Sequence, residues 1–373
     1  MRFRFKSIVL ITGLLTPVCC GSDSRADDFT PGRDSFYVSD QQGGPPQPQP
    51  FPPLGTVSKF RVSNGDFDKV LITGTPFPPG HPITPNGIVV NPVSPPELVV
   101  AFQNADTPFN GEIHVFDEAT GDFRFALVRD TDPGAPCAPF GILLNNNVLL
   151  VADEGCTPNE DGAVEAFDAT TTPAKFLQNL DIANYPHSFF HPFGIVIGPD
   201  GKLYVANRPL PHQPGVGDVV RFNLQTMKFL DVFVSGAKCG CNLDSPSGVV
   251  FGPDGRLYVT SSRPPGSNVP SNDTDKVLIF DGATGIFVDK IDLDRPGGQR
   301  SAAPGLLFGP QGLLYAPIAQ LNDSGDATGV GSVRRYNVAS KQFHDMVPPN
   351  TRLRLPSLFT FGGTNPATLL YER

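Results

Sequence analysis

The sequence predicts an all-β fold, a six-bladed β-propeller of four-stranded antiparallel blades whose ring is closed by the C-terminal strand. Three observations predict it. An apolar motif recurs at a near-constant step, an aromatic motif keeps the same step, and the piece missing from the first copy stands at the far end of the chain.

The apolar motif begins "TPNGIVV" (84–90), "APFGILL" (138–144), "HPFGIVI" (191–197), "SPSGVVF" (245–251) and "APGLLFG" (303–309). Its glycines, Gly87, Gly141, Gly194, Gly248 and Gly305, are 54, 53, 54 and 57 residues apart. The aromatic motif has six copies: "FRVSNGDF" (60–67), "FDEATGDF" (116–123), "FDATTTPAKF" (167–176), "FNLQTMKF" (222–229), "FDGATGIF" (280–287) and "YNVASKQF" (336–343). Each unit reads as four short strands. Strand A follows Pro-x-Gly, strand B is the "LYVAN"-like run, and strands C and D flank the aromatic motif. PDG and ATG supply hairpin turns in which Gly takes positive φ at little cost. In the first unit "SFYVSD" (35–40) already reads as strand B. Its strand A is "LPSLFTFG" (355–362), which aligns with "SPSGVVFG". Pairing these two closes the ring and removes an open sheet edge. Seven blades follow instead if "ATLLYE" (367–372) forms more than a closing strand.

The repeated P-x-G-[IV]-x-x-x-P-D-G-x-L-Y-V of blades 4 and 5 resembles the six-bladed propellers of the NHL-repeat type and, more distantly, the senescence-marker/gluconolactonase group. The resemblance covers residues 35–373. It implies the fold and, for the second group, a divalent ion held by acidic and Asn ligands in the mouth of the central channel.

The N-terminus reads as a secretory signal: "MRFRFK" is basic, "SIVLITGLLTPV" is apolar and too short for a stable span, and small polar residues follow. Residues 1–20 are the expected signal peptide and 21–34 a polar linker. Cleavage after Ala26 is the alternative, and Cys19 or Cys20 is a candidate lipid anchor. The protein is therefore expected to be secreted or periplasmic. Losing Arg2, Arg4 and Lys6 takes the formal charge from −9 to −12. No dense Lys/Arg stripe is present, which excludes nucleic acid as the expected partner. Gly (39) and Pro (41) make about a fifth of the chain, below the roughly 25–30% of low-complexity segments, so a packed domain is expected. A monomer is expected.

In a propeller the D–A and B–C loops share one face. The B–C segments, at 41–56, 104–110, 154–161, 208–217, 262–275 and 319–331, are long and unlike one another, and irregular loops on a rigid scaffold are where binding sits. Strand B ends align as Asp40, Phe102, Asp153, Asn207, Ser261 and Ile318. The x of Pro-x-Gly gives Asn86, Phe140, Phe193 and Ser247. These two rings are expected around the mouth. Asp40, Asp153, Asn207 and Asn86 would supply oxygen ligands for Ca²⁺ or Mg²⁺, although Asp and Asn also end strands by bonding to nearby backbone. Asn86, Phe140, Phe193, Asn207, His187 and Arg208 are the expected ligand-binding residues. His187 and His191, with His212 in the same blade's B–C loop, could provide imidazoles, and His191 is the candidate general base.

Among the cysteines, Cys137 and Cys156 map to one face of blade 3 and are expected to pair. Cys239 and Cys241 could close a small ring or bind a soft metal. Sequons stand at Asn272 and Asn322. The leading expectation is an exported propeller that binds a small molecule, glycan or protein segment in its mouth. The runner-up is a divalent-metal-dependent hydrolase or lyase acting on a lactone-like ring. The third is a purely structural envelope protein.

Overall fold

The computed structural model describes residues 34–42, 55–73, 84–104, 108–208, 216–263, 273–295, 298–350 and 352–372. The expected signal peptide, nearly all of the linker, Cys19, Cys20, Ala26, His212 and Asn272 lie outside the described residues.

Six sheets of four antiparallel strands form the ring. From the axis outward, blade 1 is Pro356–Phe361, Ser35–Asp40, Thr56–Arg61 and Phe67–Thr73. Blade 2 is Thr84–Asn91, Glu97–Gln103, Gly111–Asp117 and Phe123–Val128. Blade 3 is Pro139–Asn145, Val148–Asp153, Ala163–Asp168 and Lys175–Asn179, and blade 4 is Pro192–Ile197, Leu203–Asn207, Asp218–Asn223 and Lys228–Ser235. Blade 5 is Ser245–Phe251, Leu257–Ser262, Lys276–Phe280 and Phe287–Asp292. In blade 6 the inner strand is split into Arg300–Ala302 and Leu307–Phe308, followed by Leu314–Leu321, Ala327–Tyr336 and Phe343–Asn350. The burial pattern explains the sequence pattern. Strand B lies between neighbouring blades on both faces, so "LYVAN" is buried throughout, whereas the outer strand of blade 1 alternates because one face meets water.

The apolar motif owes its glycines to the axis. A Cβ on Gly87 would lie 2.2 Å from Phe140 O, one on Gly141 2.6 Å from Phe193 O, and one on Gly194 2.1 Å from Ser247 O. Each inner strand thus leans its glycine on the backbone of the next blade. The A–B register shifts at the same place in blades 2 to 5, between Pro and the residue after Gly, as at Pro192/Ile195. The bulge lets the glycine approach while the x side chain turns toward the mouth.

The aromatic motif is equally physical. Its two rings meet across strands C and D in every blade: Phe60–Phe67 at 5.7 Å, Phe116–Phe123 at 5.8 Å, Phe167–Phe176 at 5.5 Å, Phe222–Phe229 at 6.0 Å, Phe280–Phe287 at 6.0 Å and Tyr336–Phe343 at 5.4 Å. Most of these pairs meet edge to face, a geometry that adds about 0.5–1.5 kcal/mol beyond burial.

Pro356–Phe361 pairs with Ser35–Asp40, with Phe36 opposite Phe361 and Val38 opposite Phe359, so the C-terminal strand closes the ring as expected. The segment after it does not start a seventh blade. It crosses the hairpin-turn face, where Leu144 N donates to Pro366 O at 3.0 Å and Ile197 N to Ala367 O at 3.3 Å. Leu369 packs against core clusters from around the ring and lines the channel with Ile88, Ile142, Ile195, Val249 and Leu306. Only about 40 Å³ remains inside, enough for about one water by the usual volume criterion. One loop also differs from expectation. Segment 319–331 is not irregular; strands B and C of blade 6 extend through it and turn at Asn322–Asp326.

Replacing Gly194 by Ala should cost about 2–3 kcal/mol by chemical denaturation, since the new methyl meets backbone rather than a movable side chain. Gly255→Ala, in open space at φ +76°, should cost about 1–2 kcal/mol from the left-handed backbone alone. Equal losses would show that the axial contact is not tight.

Candidate functional site

The ends of strand B are clasps. Asp40 Oδ2 accepts from Arg354 N at 2.6 Å and its Oδ1 from Leu355 N at 2.9 Å. Asp153 accepts from Cys137 N at 3.0 Å, Ala138 N at 2.7 Å and Gly155 N at 3.1 Å. Asn207 Oδ1 accepts from His191 N at 2.6 Å, and Ser261 Oγ from Asp244 N at 2.9 Å. In each case the side chain satisfies amides of the loop entering its own blade, and Asp153 also that of Gly155 in the loop that follows it. A disulfide between Cys137 and Cys156, with Cα atoms 4.8 Å apart, ties down the same loop in blade 3.

The cation site expected on Asp40, Asp153, Asn207 and Asn86 therefore does not fit. The carboxylate oxygens are committed to amides one blade at a time, whereas Ca²⁺ takes six to eight converging oxygens. Among the described residues, no group of three or more His, Cys, Asp or Glu is gathered for a metal. Asn86 is buried behind the mouth as an amide relay: its Nδ2 donates to Gln103 Oε1 at 2.8 Å and to Pro139 O at 3.0 Å, and its Oδ1 accepts from Gln41 Nε2 at 2.7 Å.

The mouth itself is a cavity of about 400 Å³. One ring of its wall is Gln41, Gln103, Glu154, Arg208, Ser262 and Ala319, each the residue immediately after a strand B end in the alignment. The other ring includes the x position: Phe140, Phe193, Ser247, Pro304 and Ser357. The blade 6 hairpin adds Leu321 and Gly325. Sequence reasoning named Arg208, Phe140 and Phe193 but missed Glu154, Gln41 and Gln103. The missing signal was alternation: if the strand-end side chain turns back to its loop, the next one faces the axis.

Arg208 dominates one wall. Its guanidinium stacks 3.2 Å from the centroid of Phe193, which in turn packs on Phe140, and its Nη2 donates to Ser247 Oγ at 2.6 Å. Its Nη1 stands 3.6 Å from Glu154 Oε1. Burial pushes the Glu154 carboxyl up to about 7, against the pull of Arg208, and Asp153 adds to the rise. Burial lowers Arg208 to about 10. Glu154 Oε1 and Arg208 Nε are buried atoms without a hydrogen-bond partner among the described residues.

The histidines are elsewhere. His191 is buried and absent from the cavity wall. Its imidazole is held neutral, lowered to about 4 by burial and then by Arg208, and bonds to the Glu154 backbone. It supports the wall rather than meeting a ligand there. His187, expected at the mouth, lines an outer groove instead, with Nε2 3.4 Å from Asp218 Oδ2. The cause is an excursion before strand A of blade 4, pinned by Tyr185, whose hydroxyl donates to Asp218 and accepts from Asn207 Nδ2 at 2.7 Å.

The fold and the mouth define a six-bladed β-propeller with its channel sealed below an open cup. A protein from Bacteroides uniformis proposed to be a 6-phosphogluconolactonase is similar in structure, at 14% identity and a TM-score of 0.53 over 88% of this chain and 98% of that one. TolB from Acinetobacter baumannii is similar at 14% identity and 0.52, over 87% and 64%. A calcium-binding protein, regucalcin from Agrobacterium tumefaciens, matches at 15% identity and 0.44, over 68% and 70%. The first two likenesses are of fold alone. No protein-family model and no curated protein matches the sequence.

Glu154 gives the stability a pH dependence of known sign. Its folded value of about 7 exceeds the ordinary 4.5, so the native state keeps a proton the unfolded chain has lost. This contribution to stability should be full below about 4.5 and be lost as the pH rises through about 7, by on the order of 3 kcal/mol. Glu165, raised to about 9 by burial and by Asp153, adds a slope of the same sign. The measurement is thus the difference between wild type and Glu154→Gln in thermal unfolding from pH 4.5 to 8. Parallel curves would show that Glu154 titrates normally.

Proposed function

We propose that the protein binds a small, hydroxyl-rich ligand, about the size of a monosaccharide, in the cup at the mouth of its ring. The observation that carries this reading is the convergence of two repeat positions on one closed-bottomed cavity. Its volume of about 400 Å³ falls in the range of roughly 300–1,000 Å³ of small-molecule sites. The wall offers amides from Gln41 and Gln103, the Ser262 hydroxyl, and the Glu154–Arg208 charge pair. Phe193 is already covered by Arg208, so polar groups rather than a bare aromatic face recognise the ligand. A glycan or protein segment would engage the cup through one terminal unit.

A second reading, hydrolysis of a lactone or similar ring, rests on Glu154. A carboxyl that titrates near neutrality can take a proton from water, and an adjacent guanidinium can stabilise the developing oxyanion. It invokes no cation, because Asp40 and Asp153 are committed to amides. We also propose that the chain is exported. The basic and apolar N-terminal run supports this, as do two disulfides, which persist in oxidising compartments. No helix among the described residues is long and apolar enough to cross a membrane.

Titration calorimetry with sugars, sugar acids and their lactones tests the binding reading. Arg208→Ala should weaken the best ligand about 10–100-fold, the effect of losing a charged hydrogen bond. An unchanged affinity, or no binder in the panel, overturns it. Lactone turnover lost in Glu154→Gln with binding retained would support the second reading; turnover that survives the substitution would remove it.

A further inference from the structure

A groove of about 790 Å³ runs along the outer strand of blade 4, Lys228–Ser235, and reaches the C–D turn of blade 5. Its wall carries Phe229, Phe233 and Phe287, with Ile286 67% exposed at the lip. Cys239 stands on that wall, joined by a disulfide to Cys241. Cys241 is buried among the apolar side chains shared by blades 4 and 5.

The bond joins residues two apart. Such a short link removes little freedom from the unfolded chain, so it is a weak staple beside Cys137–Cys156, which joins residues 19 apart. The two sulfurs differ in access and surroundings. Cys239 lines the groove, partly buried against the same apolar cluster, and its Sγ accepts a hydrogen bond from Cys241 N at 3.2 Å. Lys238 and His187 line the same groove. Cys239, on the groove wall, is the sulfur an incoming thiol can reach, and Cys241, buried between the blades, is the one left behind to resolve the exchange.

We infer that Cys239–Cys241 is a thiol–disulfide exchange site whose partner is a cysteine-bearing polypeptide segment lying in the groove. The groove fits an extended segment: its aromatic wall takes side chains, and Lys228–Ser235 is the outermost strand of its sheet; Phe229 N already donates to Asp181 O at 2.8 Å, so an added segment would lie along Leu230–Ser235. In the exchange, a partner thiolate attacks Cys239 Sγ and a new S–S bond forms. The Cys239–Cys241 bond breaks, its electron pair leaves on Cys241 Sγ, and that sulfur takes a proton. A second partner thiolate then attacks the partner's own sulfur in the mixed disulfide and releases Cys239 as thiolate. The partner gains a disulfide, and the pair gains two electrons as a dithiol.

Cys241→Ser should trap the first stage on the full-length protein. Incubated with a disulfide-linked peptide whose cysteine is flanked by Phe and Leu, it should form a Cys239 adduct at least about tenfold faster than with glutathione disulfide, as read by mass spectrometry. Cys239→Ser should form no comparable adduct. In wild type, a glutathione buffer should open Cys239–Cys241 while Cys137–Cys156 stays closed. Replacing both Cys239 and Cys241 by Ala, which puts no hydroxyl into the apolar cluster, should lower the unfolding midpoint less than replacing Cys137 and Cys156 by Ala does. No adduct on Cys239, equal rates with the two probes, simultaneous opening of both disulfides, or a loss of stability without Cys239 and Cys241 as large as that without Cys137 and Cys156 would each overturn the assignment.

Discussion

The ring depends on a row of missing methyl groups. Where the inner strands meet, the glycine of Pro-x-Gly lies against the carbonyl or side chain of the next blade, and no other residue leaves that space. Much else follows from this approach. It narrows the channel until Leu369 and a collar of Ile, Val and Leu can fill it. It requires a bulge beside the glycine, and the bulge sends the neighbouring side chain toward the mouth. A scaffold constraint thereby decides which repeat position is available to bind.

The outer half of each blade rests on a different interaction. The edge-to-face aromatic pairs hold strands C and D together where the sheet is exposed to water and has least burial to offer. On the mouth side, the Asp, Asn and Ser clasps hold each entry loop to the strand beside it. With those loops fixed, Arg208 and Glu154 are kept in place with polar atoms unpaired, an arrangement that costs stability.

The fold was legible because its causes repeat. The glycine recurs in five blades and the paired aromatics in all six, the strand at 355–362 supplies the piece the first blade lacks, and together they leave little choice of architecture. The site was legible only by region. Phe140, Phe193 and Arg208 line the mouth, and Asn86 is buried behind it, bonded to Gln41 and Gln103 of its wall, but Asp40 and Asp153 are the residues before those that face the axis. In a strand, one position is the difference between two opposite directions, and composition cannot tell which side an Asp takes until its hydrogen-bond partners are known. His187 was misplaced for another reason. It lies in an insertion that belongs to no repeat, so the register that located its neighbours could not reach it.

The pairing of Phe36 with Phe361 also orders events in time. A ribosome makes Ser35–Asp40 long before Pro356–Phe361, and everything between must emerge before the first blade receives its innermost strand. Contacts so distant along a chain are slow to form, because a large loop must be closed before they return anything. The unfinished chain is thus a row of blades with two sticky ends, prone to pair with a neighbouring copy. A nascent form of this protein is in greatest need of a chaperone at the moment when it is almost complete.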